Sequence, residues 1–208
     1  DDRATVRYQH EGVEKQLTAG FVLGCDGFHG PSRQSIPRGL LKTHEKVYPF
    51  GWLGILAKAP PSKDVALFSR SERGFALLSM RSPEVSRLYL QCAPDEDLAK
   101  WSDERIWDEL ERRLGTPGWN LVRGEIIQKD VTPLRSFFSE PMRHGRLFLA
   151  GDASHIVPPT GAKGLNSAFA DVSVLSAALI EHFTNGNDDL LNRYSEIALR
   201  RNLQTQRF

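Results

Sequence analysis

An acid at a strand tip, followed by a loop rich in proline and glycine, is the part of this chain best suited to chemistry. Leu147-Phe148-Leu149-Ala150 reads as a buried strand that stops at Gly151-Asp152. In open α/β sheets, ligands bind beyond the carboxyl ends of strands. The loop then runs through Pro158, Pro159 and Gly161, and a helical pattern begins near Ala162. Free N–H groups and the macrodipole at a helix start attract negative charge. The segment can therefore hold a polar, partly anionic cofactor, with Asp152 on one side and backbone donors on the other. A second strand-like run, Phe21-Val22-Leu23-Gly24, likewise ends in an acid and a glycine at Cys25-Asp26-Gly27.

A different chemistry is suggested by Ser79, Arg81, Arg87 and Tyr89. Residues i and i+2 of a strand face the same side. With residues 82–86 as a hairpin loop, Arg81 would oppose Arg87 and Ser79 would oppose Tyr89. Two opposed arginines call for a nearby anion, and a guanidinium matches a planar carboxylate through two parallel bonds. The same arginines could instead point to water and pair with Glu72 or Glu84. Spacing leaves both readings open.

The elements that must carry these residues fall into two textures. Residues 4–9 and 13–23 read as a hairpin turning at Glu11-Gly12, and Ser32 reads as the N-cap of a short helix after Gly30. Between Lys46 and Arg135 lie short β-like runs at 48–56, 65–69, 74–79, 87–92 and 126–136, broken by Pro60-Pro61 and Ser82-Pro83. One amphipathic helix interrupts them, Asp103 to Leu114, capped by Ser102, with Ile106, Trp107, Leu110 and Leu114 on one face and Gly115 at its end. After Arg146 the α/β pattern returns. Leu165, Phe169, Val172, Leu175 and Leu179 recur at helical spacing and predict a buried face; Tyr194, Ile197 and Ala198 mark a further helix whose Arg200 and Arg201 should be solvated. The fold class expected is α/β with α+β mixing: cofactor-domain segments at 1–45 and 136–208 around a β-rich layer at 46–135.

Composition narrows the function. With 27 basic and 26 acidic residues the net charge is +1, without the basic field of a nucleic-acid binder. The two cysteines, Cys25 and Cys92, form no close pair and read as small core residues; no zinc spacing or disulfide framework occurs. No apolar run is long enough to span a bilayer, which makes a cytoplasmic location the default. The chain begins at Asp1-Asp2 without Met and ends at Phe208 in an unfinished helical pattern, as an internal fragment would.

The segments GCDGFHGPSRQSIP (24–37), VYPFGWLG (47–54), RGFAL (73–77), PLRSF (133–137) and LFLAGDASHIVPPTGAKGLN (147–166) together resemble the flavoprotein aromatic hydroxylases. The last loop is similar to the para-hydroxybenzoate hydroxylase branch, and the resemblance runs along essentially the whole chain. It implies an incomplete FAD-binding, Rossmann-like domain with an inserted antiparallel substrate domain. By that resemblance Asp152 contacts the FAD ribityl and phosphate region, and Leu165 and Asn166 lie at the flavin pyrimidine edge. Asp26 is shared between FAD and the NADPH path, while His29 and Arg135 help to bind NADPH. Ser79, Arg81 and Tyr89 form the substrate carboxylate clamp, Arg87 sits near the flavin ring, and the Pro159 carbonyl accepts from the substrate hydroxyl. The implied reaction is NADPH reduction of FAD, O2 addition to give a C4a-hydroperoxyflavin, and hydroxylation of 4-hydroxybenzoate to 3,4-dihydroxybenzoate. Partners implied are the aromatic acid and O2, with neither nucleic acid nor membrane, in a homodimer.

Two departures qualify that expectation. Phe68 stands where the family has a substrate-touching tyrosine, and Ala66 where it has a larger apolar residue, so phenolate formation should weaken and the pocket should widen. No G-x-G-x-x-G occurs, so the chain alone should bind FAD poorly and lack activity. The alternatives are a flavin hydroxylase for another benzoate (3-hydroxybenzoate, 4-aminobenzoate or a dihydroxybenzoate) and a non-catalytic aromatic-acid binding module.

Overall fold

A computed structural model describes residues 3–206; Asp1, Asp2, Arg207 and Phe208, at the two ends weighed above, lie outside the described residues. The first elements are β1 (Ala4–His10), β2 (Val13–Ala19), β3 (Val22–Gly24), α1 (Pro31–Gln34), β4 (Lys42–Lys58), β5 (Leu67–Ser71), β6 (Gly74–Met80) and β7 (Ser86–Cys92). Then follow α2 (Asp103–Leu114), β8 (Glu125–Glu140), β9 (Arg143–His144), β10 (Leu147–Leu149), β11 (His155–Ile156), α3 (Gly164–Asn185) and α4 (Asp189–Gln206). The chain divides into two compact units, Asp1–Lys46 with Arg135–Phe208, and Val47–Leu134.

In the unit formed by residues 47–134, the strands are ordered β8-β4-β7-β6-β5, and the neighbours β4–β7, β7–β6 and β6–β5 are antiparallel. Alternation divides the side chains between two faces. Leu53, Ile55, Ala76, Leu78, Leu88 and Leu90 turn toward α2 and bury Ile106, Trp107 and Leu110. Each fully buried Leu or Ile contributes roughly 1.5–3 kcal/mol. Helix α2 keeps the predicted ends: the Ser102 side chain accepts from the Arg105 N–H at 3.2 Å, and Gly115 is the C-cap. Arg113 pins the helix to the sheet, donating to the Gln91 carbonyl at 2.8 Å and the Phe75 carbonyl at 3.3 Å.

In the other unit, β3 and β10 pair in parallel, Val22 beside Leu147 and Gly24 beside Leu149, and β9 closes the far side of β10 antiparallel. Phe148, Met142, Leu175, Ala178, Leu191, Tyr194 and Ala198 form the core beneath them. The Tyr194 hydroxyl donates to the Leu149 carbonyl at 2.7 Å, and burial pushes its phenol far above its ordinary value. The last residues of β8 pair with β11, Phe138 with His155.

Several sequence expectations need correction. The predicted arm 13–23 is two strands: β2 ends at Ala19, and Val22–Gly24 leaves the hairpin to pair with β10. Ser32 is not a cap; Gly30 occupies that position, and the Ser32 N–H is taken by the Asp26 carboxylate at 2.8 Å. Ala162 sits in the left-handed region (φ 50°), so α3 starts later, at Gly164. The stripe Leu165, Phe169 and Val172 is exposed, and α3 instead buries Ser167, Asp171, Leu175 and Ala178. Cys25 is exposed rather than in the core. Arg201 is half-buried, with its Nη1 lacking a partner.

Candidate functional site

The parallel pairing of β3 and β10 decides where the two acids lie. Both strands run the same way, and the Ala150 N–H bonds the Gly24 carbonyl at 3.0 Å, so Cys25-Asp26 and Gly151-Asp152 emerge at the same carboxyl edge. Asp26 and Asp152 are both exposed there. Asp26 holds its loop by accepting from the Ser32 N–H, and Gly30 leaves the room: a Cβ on it would come within 2.5 Å of the Asp26 Cβ.

Arg33, which sequence reasoning missed, ties the Asp26 loop to the Asp152 turn. It donates to the Ala153 carbonyl at 2.7 Å and the Phe28 carbonyl at 2.6 Å. Its guanidinium lies 4.7 Å from the ring centres of both Phe28 and Phe137, and burial lowers its pKa. Arg135 stacks 4.0 Å over the other partner of this cluster, Phe28, and pairs with Glu45 at 3.5 Å. His29 is exposed, edge-on to Phe28. His29 and Arg135 thus both pack on the Phe28 ring, while Asp26 is held on the same loop by the Ser32 N–H.

Next to Asp152 a cavity of about 530 Å³ is lined by Asp152, Ile156, Val157, Pro159, Ala162, Gly164, Leu165 and Ala168. Its walls are mostly apolar, and its far side is the start of α3. That helix has no side-chain cap and no acid in its first turn, so its leading N–H groups are not claimed by a side chain. A flat ring, apolar over its faces and carrying oxygens at one edge, fits this donor set. Asp152, Pro159 and Leu165 line the cavity, while Asn166 lies one residue past Leu165, on a neighbouring cavity lined with Lys163 and Arg201.

Below the turn a buried polar network was also missed. The Asp171 carboxylate accepts from the Gly151 N–H at 3.0 Å and lies 2.5 Å from His155 Nε2; both side chains are fully buried. Its only sequence signal is a polar residue at helical spacing with Leu175 and Ala178, which spacing alone does not separate from a solvated position.

In the 47–134 unit, the sheet face opposite α2 carries the other candidates, but in a different register from that expected. Ser79 pairs with Arg87, and Leu77 with Tyr89; the turn is Arg81–Val85, closed by the Arg81 N–H on the Val85 carbonyl. Arg81 therefore does not oppose Arg87, and the two guanidinium groups do not face each other across the ladder in the way that would call for an anion. A slip of two residues preserves the faces, so Ser79, Arg87 and Tyr89 still share one side. Phe68 joins them through Leu77, since Phe68 pairs with Leu77 and Leu77 with Tyr89. Tyr89 packs 4.8 Å from Trp52, which stacks on Phe75 at 5.5 Å. Gly54, opposite Tyr89, gives its ring space; a Cβ there would lie 3.3 Å from Cε1. Arg81 is exposed in the turn, lining a cavity of about 480 Å³ with Pro61, Asp64, Met80, Ser82 and Pro83.

Residues 1–208 match the family model described as FAD binding domain. The chain is 51% identical over 204 residues to the p-hydroxybenzoate hydroxylase of Acinetobacter baylyi, covering 98% of this chain and 50% of that protein. It is 29% identical to a 3-(3-hydroxy-phenyl)propionate/3-hydroxycinnamic acid hydroxylase of a Mycobacterium species, over 93% of this chain and 33% of that one. The chain thus spans half or less of the length of these relatives. Among solved structures, p-nitrophenol 4-monooxygenase of Pseudomonas putida superposes with TM-score 0.81 at 23% identity, over 98% of this chain and 52% of that one. A ternary complex of aklavinone-11 hydroxylase with FAD and aklavinone gives 0.74 at 24%, over 92% and 37%. Both show the mixed α/β fold that the sequence predicted.

Proposed function

The chain belongs to the FAD-binding domain family of aromatic hydroxylases, and from that premise we propose that it is the central part of an FAD-dependent, NADPH-using monooxygenase that converts 4-hydroxybenzoate to 3,4-dihydroxybenzoate. The observation that carries the reading is the parallel β3–β10 pair, which presents Asp26 and Asp152 at one edge beside the cavity at the start of α3. In this reading residues 1–45 and 136–208 hold the cofactor, and residues 46–135 recognise the aromatic acid.

Bound FAD would supply electron transfer from NADPH and activation of O2; the protein's share is binding, orientation and electrostatics. Asp152 accepts from ribityl hydroxyls. The first N–H groups of α3, at Leu165 and Asn166, stabilise negative charge on the pyrimidine edge. Asp26, His29 and Arg135 guide the nicotinamide nucleotide. Arg81, with Ser79 and Tyr89, binds the substrate carboxylate. The Pro159 carbonyl accepts the substrate hydroxyl proton's hydrogen bond and so orients the phenol, and Arg87 adds positive charge for the reduced cofactor.

A second reading changes the substrate to another benzoate. Phe68 brings no hydroxyl to the face it shares with Tyr89, which leaves fewer groups to polarise a phenol. The deciding experiment uses protein from the complete reading frame. NADPH oxidation is measured against a panel of benzoates, with hydroxylated product quantified beside hydrogen peroxide. Coupled turnover of 4-hydroxybenzoate supports the first reading, and coupled turnover of a different benzoate alone supports the second. A protein that purifies without flavin absorbance and takes up no FAD defeats both.

A further inference from the structure

Asp171 lies on α3, six residues after Leu165, and its carboxylate reaches out of the helix to the turn that bears Asp152. It accepts from the Gly151 N–H at 3.0 Å and lies 2.5 Å from His155 Nε2. Its second oxygen is 3.5 Å from Asn202 Nδ2 of α4, which also donates to the Ala198 carbonyl at 2.9 Å. Asp171, His155 and Asn202 are all buried. A buried carboxylate is retained at a cost in desolvation, so its bonds must hold something that an apolar side chain would not.

What it holds is a backbone position under constraint. Gly151 has φ +61°, and a Cβ there would meet Ala168 of α3 at 3.2 Å. The turn is tightened by Ser154, whose N–H and hydroxyl both donate to the Gly151 carbonyl, at 2.8 and 3.0 Å. Gly151 is therefore clamped at both ends, its carbonyl by Ser154 and its N–H by Asp171. Since Asp171 is part of α3, the clamp locks the Asp152 turn to the same helix whose first N–H groups border the cavity.

We infer that Asp171 is a positioning residue for the cofactor: it fixes the separation between the Asp152 carboxylate and the N-terminal turn of α3. The inference rests on the reading that these two groups face FAD. Asp171 itself touches no cofactor atom in this account, and it acts through Gly151.

The test uses apoprotein from the complete reading frame, titrated with FAD and followed by flavin fluorescence, with thermal melting of the apoprotein alongside. Asp171→Ala strips the Gly151 N–H of its acceptor and should weaken FAD binding about tenfold or more, the effect of one unsatisfied buried amide. Asp171→Asn keeps an oxygen for Gly151 and His155, and its NH2 replaces the oxygen nearest Asn202 Nδ2, so the Asn202 amide turns over to present its Oδ1, which has no partner now. Its FAD affinity should stay within about threefold of the parent. The control is Leu191→Ala, a core truncation in α4, which should lower the melting temperature without weakening FAD. If Leu191→Ala weakens FAD as much as Asp171→Ala at equal loss of melting temperature, Asp171 is merely structural and the inference is overturned. Unchanged affinity in a folded Asp171→Ala protein overturns it as well. Should that variant not fold, Asp171→Ser, too short to reach Gly151, is read in the same way. Failure of the unsubstituted protein to bind FAD would instead defeat the functional reading itself.

Discussion

Ser79 stands directly opposite Arg87 across the β6–β7 ladder, and its hydroxyl donates to the Arg87 carbonyl at 3.2 Å. The hydroxyl proton is thereby engaged, so Ser79 must rotate before it can donate to a substrate carboxylate. Arg81, two residues further, lies in the turn with an exposed guanidinium. The two members of the proposed clamp should therefore contribute unequally. Arg81→Gln should weaken binding of 4-hydroxybenzoate by about 10- to 100-fold, the range for a hydrogen bond to a charged group. Ser79→Ala should change it by less than about fivefold. Titration of the flavin spectrum with 4-hydroxybenzoate in the full-length protein measures both. Equal losses would show that Ser79 is already free to bind substrate.

Phe68 defines a second test. It is exposed and shares a transverse row with Leu77 and Tyr89. Without a hydroxyl it offers no hydrogen bond to a phenolate, so bound 4-hydroxybenzoate should ionise near its free pKa. Phe68→Tyr supplies the missing donor and should lower that pKa by about one unit, equivalent to one added hydrogen bond. Ultraviolet titration of the bound ligand reports the shift directly. A phenol already strongly acidified in the unsubstituted protein would mean that another group performs this task.

How far these relationships could be read beforehand depended on whether apolar spacing and burial agreed. They agree in α2, where Ile106, Trp107, Leu110 and Leu114 are all buried and Ser102 caps the start as its residue type predicts. They disagree in α3. Its apolar residues at helical spacing include Leu165 and Phe169, which are exposed, while its buried face contains Ser167 and Asp171. A buried aspartate is compensated by specific partners, here Gly151 and His155, and no hydrophobic pattern signals them. The β6–β7 turn failed in register but not in face, because the displacement was two residues and side chains alternate with period two. The acid-bearing strand tips were legible from local sequence, whereas the parallel pairing that sets them side by side joins residues more than a hundred positions apart.

Acid stability of the 47–134 unit should depend on Glu109. This carboxylate is 8% exposed and meets Arg113, also 8% exposed, at 3.1 Å, with Arg73 and Arg112 as further partners. The hydrogen bond from Arg73 holds its pKa below the ordinary value; burial opposes this and Arg113 adds to it. The folded state therefore releases this proton more readily than the unfolded chain, whose glutamate titrates near about 4.3. The stabilisation is complete above that value and is lost as pH falls through the lower folded pKa. Glu109→Gln should flatten this acid limb. Glu109→Leu, which strands Arg113, should cost about 3 kcal/mol at neutral pH. Urea unfolding between pH 3 and pH 7 (a range of about four units around the titration) distinguishes the two. The neighbouring Arg123 pairs with Glu111 and Asp108 are exposed and should contribute little by comparison.

Gly151 and Gly164 allow the strained position to be separated from the merely small one. Gly151 combines φ +61° with an approach of 3.2 Å between a hypothetical Cβ and the Ala168 Cβ. At Gly164 a Cβ would meet only the Val157 Cγ2, at 3.8 Å, an ordinary contact. Gly151→Ala should therefore destabilise by about 1–2 kcal/mol through the left-handed conformation alone, and more where Ala168 cannot move. Gly164→Ala, at the first residue of α3, should be neutral or slightly stabilising, since alanine is the better helix former. Because the Gly151 N–H belongs to the Asp171 clamp, Gly151→Ala should weaken FAD and lower stability together, whereas Gly164→Ala, on the cavity wall, tests the contact with the ring alone. Melting curves and FAD titrations of both variants check the pair. Weakened FAD binding in Gly164→Ala with an unaltered melting temperature would place the ring against the first turn of α3 itself.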